Sequence, residues 1–161
     1  VGINEINIRH PDFKQYLKNF LNVLYGLNQN NNDLVLFLRF KDIFTTYHSV
    51  IYDSSYNCIS YLISYKSTNS SIKYGQIIIF YKYHDEYYAY VQLYEDTKQS
   101  INDYVQVPKE MKPKLNEIFP IRCLSKTFVS IPVHKICHKC IEVKYSEYSF
   151  LSEVRVDQEH D

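Results

Sequence analysis

The densest grouping of chemically capable side chains is His134, Cys137, His138 and Cys140, in the run HKICHKC, with Cys123 a short way upstream. Thiolate and imidazole are ligands that zinc prefers, and a Cys-x-x-Cys pair is half of a structural site. The neighbours Ile131, Val133, Ile136, Ile141 and Val143 predict a strand, however. Side chains three apart on a strand point to opposite faces, so Cys137 and Cys140 diverge unless a bulge or turn intervenes. No metal and no other cofactor is therefore expected, with Cys137, Cys140 and His134 the weak metal candidates.

A second grouping is aromatic. The chain has 17 tyrosines and no tryptophan. The stretch Tyr87 to Glu95 alternates, with Ala89, Val91 and Leu93 on one face and Tyr88, Tyr90, Gln92 and Tyr94 on the other. The aliphatic face is expected to enter the core, and the tyrosine face to look outward or into a groove. Tyr88, Tyr90 and Tyr94, with Tyr81 and Tyr83 across a predicted hairpin, make a candidate ligand-binding aromatic face bordered by Asp85, Glu86, Glu95 and Asp96. Rings beside carboxylates suit a methylated ammonium through cation–π attraction. The alternatives are simple packing beneath the segment Thr97 to Pro120 and stacked single-stranded bases.

Lys109, Lys112 and Lys114, followed by Arg122 and Lys126, are the candidate phosphate contacts. Basic and acidic residues number 18 each, so the chain lacks the basic excess usual in proteins that bind DNA non-specifically. Catalysis finds little footing. The glycines Gly2, Gly26 and Gly75 are too few and too scattered for a phosphate-cradling loop, and no Gly-x-Ser-x-Gly elbow exists. The carboxylate pairs Asp85/Glu86 and Glu95/Asp96 fall at predicted turn and strand ends. The chain is not expected to be an enzyme.

Its 161 residues are the usual size of one domain, and 45% hydrophobic content is enough for a packed core. The first residue is Val1, which suggests a segment of a larger protein. No leader peptide is visible. The longest apolar run, Ile77 to Tyr81, falls far short of the roughly 20 residues that span a bilayer, so no membrane is expected as a partner. Four cysteines, Cys58, Cys123, Cys137 and Cys140, are too sparse for a disulfide scaffold and read as reduced thiols.

Several elements follow from periodicity. Pro11 to Leu27 predicts an amphipathic helix, with Phe13, Leu17, Phe20, Leu21 and Leu24 on one face and the connector Asn28 to Asn32 after it. Leu34 to Phe40 is either a buried strand or the start of a helix. From Phe44 the period becomes two. Strands are predicted over Thr45 to Tyr52, Ile59 to Tyr65, Ile72 to Tyr83 and Tyr87 to Glu95, the last two joined by His84 to Glu86 as a hairpin. Thr97 to Pro120 is a long polar connection with a short helix near Lys112 to Ile118. Strands return over Phe128 to Ile131 and Val133 to Val143, and Tyr148 to Val156 adds a last strand or short helix. The expected fold is mainly β with flanking helices (α+β): a small, partly open antiparallel barrel. Residues 1–43 form an N-terminal helical cover segment, and residues 44–161 the barrel domain, in one compact unit.

The stretch Ile72 to Tyr83 (IKYGQIIIFYKY), then Tyr87 to Tyr94 (YYAYVQLY), resembles the C-terminal β-domain of transposon-encoded or transposon-derived eukaryotic proteins. There a tyrosine–glycine–X–isoleucine strand precedes a tyrosine–alanine–X–valine strand. Ile131 to Val143 (IPVHKICHKCIEV) resembles the closing part of the same region, and the resemblance spans Phe44 to Asp161. The order also resembles a bromo-adjacent homology (BAH) module, a β-barrel of chromatin proteins. The resemblance implies a BAH-like barrel outside any catalytic part, in a nuclear protein (alternatively a cytoplasmic one). It further implies a chromatin- or protein-interaction module whose partner is a histone tail or another protein peptide, with DNA as a further candidate. A nucleic-acid-binding module and a structural or oligomerisation domain are the alternatives.

Overall fold

The computed structural model describes residues 13–25, 34–52, 60–97, 99–104, 106–118, 120–146 and 148–154. Cys58, the connector Asn28 to Asn32 and the tail from Asp157 lie outside the described residues. In chain order the elements are α1 (Phe13–Tyr25), β1 (Val35–Phe37), β2 (Arg39–Lys41), β3 (Thr46–His48), β4 (Leu62–Lys66), β5 (Ile72–Tyr83) and β6 (Glu86–Asp96). They continue with α2 (Lys112–Ile118), β7 (Ile121–Pro132), β8 (Ile136–Tyr145) and β9 (Tyr148–Val154). The ambiguous apolar stretch Leu34 to Phe40 thus becomes two short strands.

β5 and β6 are the frame. Both are rich in β-branched and aromatic residues, which fit a pleated surface. Their hairpin turns on His84 and Asp85 alone, because Glu86 already pairs with Tyr83. His84 takes a left-handed φ of 52°. On its other edge β5 pairs with β4 through Ile72 to Gln76, and with β1 through Phe80 to Lys82. β4 continues to β8, β8 to β9, β9 to β7, and β7 to β6. All of these pairings are antiparallel. The β5–β6 pairing closes the six strands into a ring, where the sequence suggests a partly open one. The β9–β7 join is the shortest, with Ile121↔Phe150 and Arg122↔Ser149 as its register. β2 and β3 form a separate hairpin.

Ring closure needs β5 and β6 to approach closely at Gly75. A Cβ there would lie 2.3 Å from Val91 Cγ1 and 2.7 Å from the Gln92 carbonyl oxygen. The second neighbour is backbone and cannot rotate away. Gly75→Ala is expected to cost about 3 kcal/mol by overpacking, read as a lower denaturant midpoint at unchanged slope.

Both faces of the β5–β6 hairpin are buried. One face carries Ile77, Phe80, Ala89 and Val91, which pack with Ile63, Tyr65, Tyr47 and Ile131. Phe37 and Phe40, from β1 and β2, add to this outer layer. The other face carries Tyr74, Gln76, Gln92 and Tyr94. A bulge at Ile78 keeps this face continuous into Ile79, Tyr81 and Tyr83, which join Tyr88 and Tyr90. α1 covers that continuation. Phe20 is 1% exposed and meets the rings of Tyr81 at 5.2 Å and Tyr90 at 5.0 Å. Tyr16, one turn earlier, meets Phe128 at 6.1 Å. The helical cover expected from residues 1–43 is therefore partly strand, since β1 and β2 lie within that span.

Candidate functional site

The tyrosine–glutamine face looks into the barrel. The Tyr94 hydroxyl donates to Glu142 Oε1 at 3.0 Å. These residues stand on β6 and β8, which are opposite in the ring, so the bond crosses the lumen. Ser149 on β9 donates to the same carboxylate oxygen. Lys144 Nζ lies 3.5 Å from the other oxygen, with the Glu142 side chain 7% exposed. Across the hairpin, Gln76 Nε2 donates to Gln92 Oε1 at 2.9 Å, and Gln92 Nε2 donates to the Ser125 carbonyl oxygen at 2.6 Å. Leu62, Cys140 and Leu151 pack with Tyr94. Gln76, Gln92, Tyr94, Glu142 and Ser149 each have a partner here, which offsets much of their desolvation cost, whereas the buried Ser64 hydroxyl has none among the described residues.

The structure therefore corrects the expected orientation. The period-two pattern is real, but its polar face is the inward one. Tyr81, Tyr90 and Tyr94 are buried, and Tyr83 and Tyr88 are half-buried. Tyr81, Tyr83, Tyr88 and Tyr90 share one cluster, with Tyr81 and Tyr88 stacked at 5.2 Å. Tyr94 belongs to a different cluster, in the lumen. The cover over the first four is α1 rather than the Thr97 to Pro120 segment. Burial is the first cause that raises the Tyr81, Tyr90 and Tyr94 hydroxyls above their ordinary value, with the Glu142 charge reinforcing it at Tyr94. The Tyr88 hydroxyl, which donates to Glu86, is pushed up to about 12, first by that bond.

The basic residues do not form one surface. Lys109, Lys112 and Lys114 are exposed in and just before α2, and Lys126 is exposed on β7. Arg122 is buried. Its Nε lies 2.9 Å from Asp96 Oδ1, and its guanidinium sits 4.0 Å over the Tyr74 ring. That side chain braces the barrel between Asp96 and Tyr74.

The cysteine–histidine run is interrupted by a bulge: Ser64 pairs with His138 and Tyr65 with Ile136, which leaves Cys137 as the extra residue on β8. Cys140 faces the lumen and is 1% exposed. Cys137, at the bulge three residues away on β8, is half-buried, with its Sγ 3.6 Å from the Lys135 carbonyl oxygen. His134 is exposed on the short turn before β8. Among the described residues no three His, Cys, Asp or Glu side chains converge as a metal site would need. Cys123, Cys137 and Cys140 are free thiols. Burial, reinforced by Glu153, pushes the Cys140 thiol up to about 12, so it stays protonated and poorly nucleophilic at neutral pH.

What sequence reasoning missed is the β2–β3 hairpin. Its tip, Asp42 to Thr45, closes with the Asp42 N–H donating to the Thr45 carbonyl oxygen at 2.8 Å. At that tip Ile43 is 80% exposed and Phe44 is 85% exposed. On the strands behind it, Phe40 and Tyr47 are register partners that pack onto the outer layer. The signal available was Ile43-Phe44 beside the polar residues Lys41 and Asp42, a pair of large apolar residues with no periodic partner.

These contacts define a closed antiparallel β-barrel with a lumen filled by its own side chains and an apolar finger outside. Comparison with protein-family models, with characterised proteins and with solved structures finds no match. Among the described residues no helix is long and apolar enough to cross a membrane.

Proposed function

We propose that the domain is a non-catalytic protein-interaction module, and that it grips its partner from outside the barrel through the β2–β3 hairpin. The observation that carries this reading is the exposure of Ile43 and Phe44 together at the hairpin tip. Scattered apolar surface residues need no explanation, but adjacent ones on a projecting turn offer an anchor of the kind that dominates interfaces. The filled lumen supports the same reading. Its carboxylate is engaged by Tyr94, Ser149 and Lys144, and its thiol is protonated. A role in chromatin, in a nuclear protein, remains part of the proposal through the resemblance of β5, β6 and β8 to BAH-like sequences.

The test is a titration of the domain against histone-tail and other peptides, and against a short DNA duplex, comparing wild type with Phe44→Ser and Tyr88→Ala. Peptide binding that weakens by about thirtyfold in Phe44→Ser, the loss of about 2 kcal/mol typical of an interface anchor, is the expected outcome. Phe44→Ser should leave stability within about 0.5 kcal/mol of wild type, because the ring is in solvent. Salt-sensitive duplex binding with no peptide preference would overturn the proposal in favour of the α2 lysines. Loss of binding in Tyr88→Ala alone would move the site to the tyrosine cluster.

A further inference from the structure

The outward face of the same hairpin carries a concentration of positive charge. Arg39 and His48 are register partners on β2 and β3, on the face opposite Phe40 and Tyr47. The His48 ring stacks on Tyr52 at 4.6 Å and 25°. The Arg39 guanidinium sits 5.5 Å from the centre of that same ring, with Nη1 3.5 Å from the Tyr52 hydroxyl oxygen. Lys41 follows on β2 and is exposed, and Lys139 approaches from β8, where it pairs with Ile63 beside the hairpin. The His48 imidazole is held below its ordinary value, first by burial and then by Arg39 and Lys139, which places both cations within electrostatic reach of one ring.

No ion pair among the described residues neutralises this charge. Among the described residues the ion pairs are Lys82–Asp85, Arg122–Asp96 and Lys144–Glu142. None includes Arg39, Lys41 or Lys139, although the chain as a whole is neutral. The carboxylate on the hairpin itself is Asp42, whose Oδ1 accepts the Ile43 N–H at the tip. Arg39, Lys41 and Lys139 outnumber that one carboxylate, and a ligand that supplies further anions relieves the repulsion among them as it binds.

We propose that the outward face of the β2–β3 hairpin, with Lys139 beside it, binds an acidic peptide segment that also carries apolar residues. Its carboxylates set on Arg39, Lys41 and Lys139, and its apolar side chains on Ile43 and Phe44. The proposal rests on the interaction reading above and adds the chemistry of the partner, which is opposite in charge to a lysine-rich histone tail. A nucleic acid fits less well. It would offer phosphates to the cations but no apolar counterpart to the exposed Ile43–Phe44 tip.

The test uses a fluorescently labelled peptide of alternating Glu and Leu, the same peptide with Gln for Glu, and a single-stranded oligonucleotide. The Glu/Leu peptide is expected to bind about tenfold or more tightly than the Gln/Leu peptide at low salt, with the advantage shrinking as salt screens it. The double variant Arg39→Glu, Lys139→Glu should abolish the advantage, while Phe44→Ser should weaken both peptides alike. Thermal melts establish that each variant folds. If the double variant does not, Arg39→Gln with Lys41→Glu carries the same comparison. Equal binding of both peptides, still dependent on Phe44, would overturn the acidic preference while leaving the interaction reading intact. Tighter binding of the oligonucleotide with the same dependence on Arg39 would overturn the choice of a peptide. Absence of binding by every probe would overturn the proposal itself, and the peptide panel of the preceding section would then decide the interaction reading separately.

Discussion

Raising the pH past 10 is expected to unfold this domain in one cooperative step. Tyr47, Tyr65, Tyr74, Tyr81, Tyr88, Tyr90 and Tyr94 are all held above their ordinary value of 10.0. Burial is the first cause at each except Tyr88, where the bond to Glu86 leads. Cys140 behaves likewise, pushed from 9.0 up to about 12. A raised value means the folded chain holds its proton more tightly than the unfolded chain. The stability tied to these groups is complete below the unfolded values and is lost as the pH climbs through the folded ones. Because the groups lie in three contiguous clusters, ionising one opens the environment of the next. Tyrosinate absorbance from the buried rings and loss of far-ultraviolet circular dichroism should therefore coincide above pH 10. Tyrosines that titrate singly near 10 while the dichroism stays intact would show that the rings are open to water and the burial is wrong.

Phe20→Ala should cost about 3–5 kcal/mol, the usual penalty for emptying a buried aromatic site. Phe20 is the one fully buried side chain among those described on α1, and it closes the Tyr81–Tyr90 cluster. Its removal leaves a cavity against two rings that themselves stack on neighbours, Tyr81 on Tyr88 and Tyr90 on Phe128. A fall of that size in chemical denaturation, with stronger quenching of tyrosine fluorescence by an aqueous quencher, is the expected result. A change below about 1 kcal/mol would mean that α1 is not docked where it is described, since a surface residue behaves that way.

The helix and the main hairpin were legible because each has a clean period over a long run. The strand at β8 was legible as well, but its bulge at Cys137 was not, because it is set by the register with β4. The direction of the tyrosine face was not legible. Alternation tells which side chains share a face but not which face is inside, and the usual rule places the polar set in water. Here Gln76 and Gln92 satisfy each other, and Glu142 gathers Tyr94 and Ser149, so the polar set can be buried. Those partners lie far apart in the chain, on strands whose adjacency no local pattern encodes. Arg122 was misjudged for the same reason, as its partner Asp96 pairs with it only through the β6–β7 register. The β2–β3 hairpin escaped because its turn, Asp42 to Thr45, has no Gly, Pro or Asn to mark it.

The closed ring also bears on how the chain avoids self-association while it is being made. Ile77 to Tyr81 is an uncharged run of strong β-formers, the composition that seeds intermolecular strand pairing. In the finished barrel β6 lies along one side of it; on the other β1 pairs with Phe80 and Tyr81, while the Ile77 N–H donates to the Tyr61 carbonyl oxygen and the Ile77 carbonyl oxygen accepts the Val50 N–H, so the run is not left as a long free edge. The ring, however, is completed by β7, β8 and β9, which leave the ribosome after β4, β5 and β6. Until they arrive β4 and β6 each keep an open edge. Any lesion that weakens the short β9–β7 join, whose register includes Arg122↔Ser149, would reopen the ring at its weakest point. Such damage would show first as aggregation during synthesis rather than as lost binding by the folded domain.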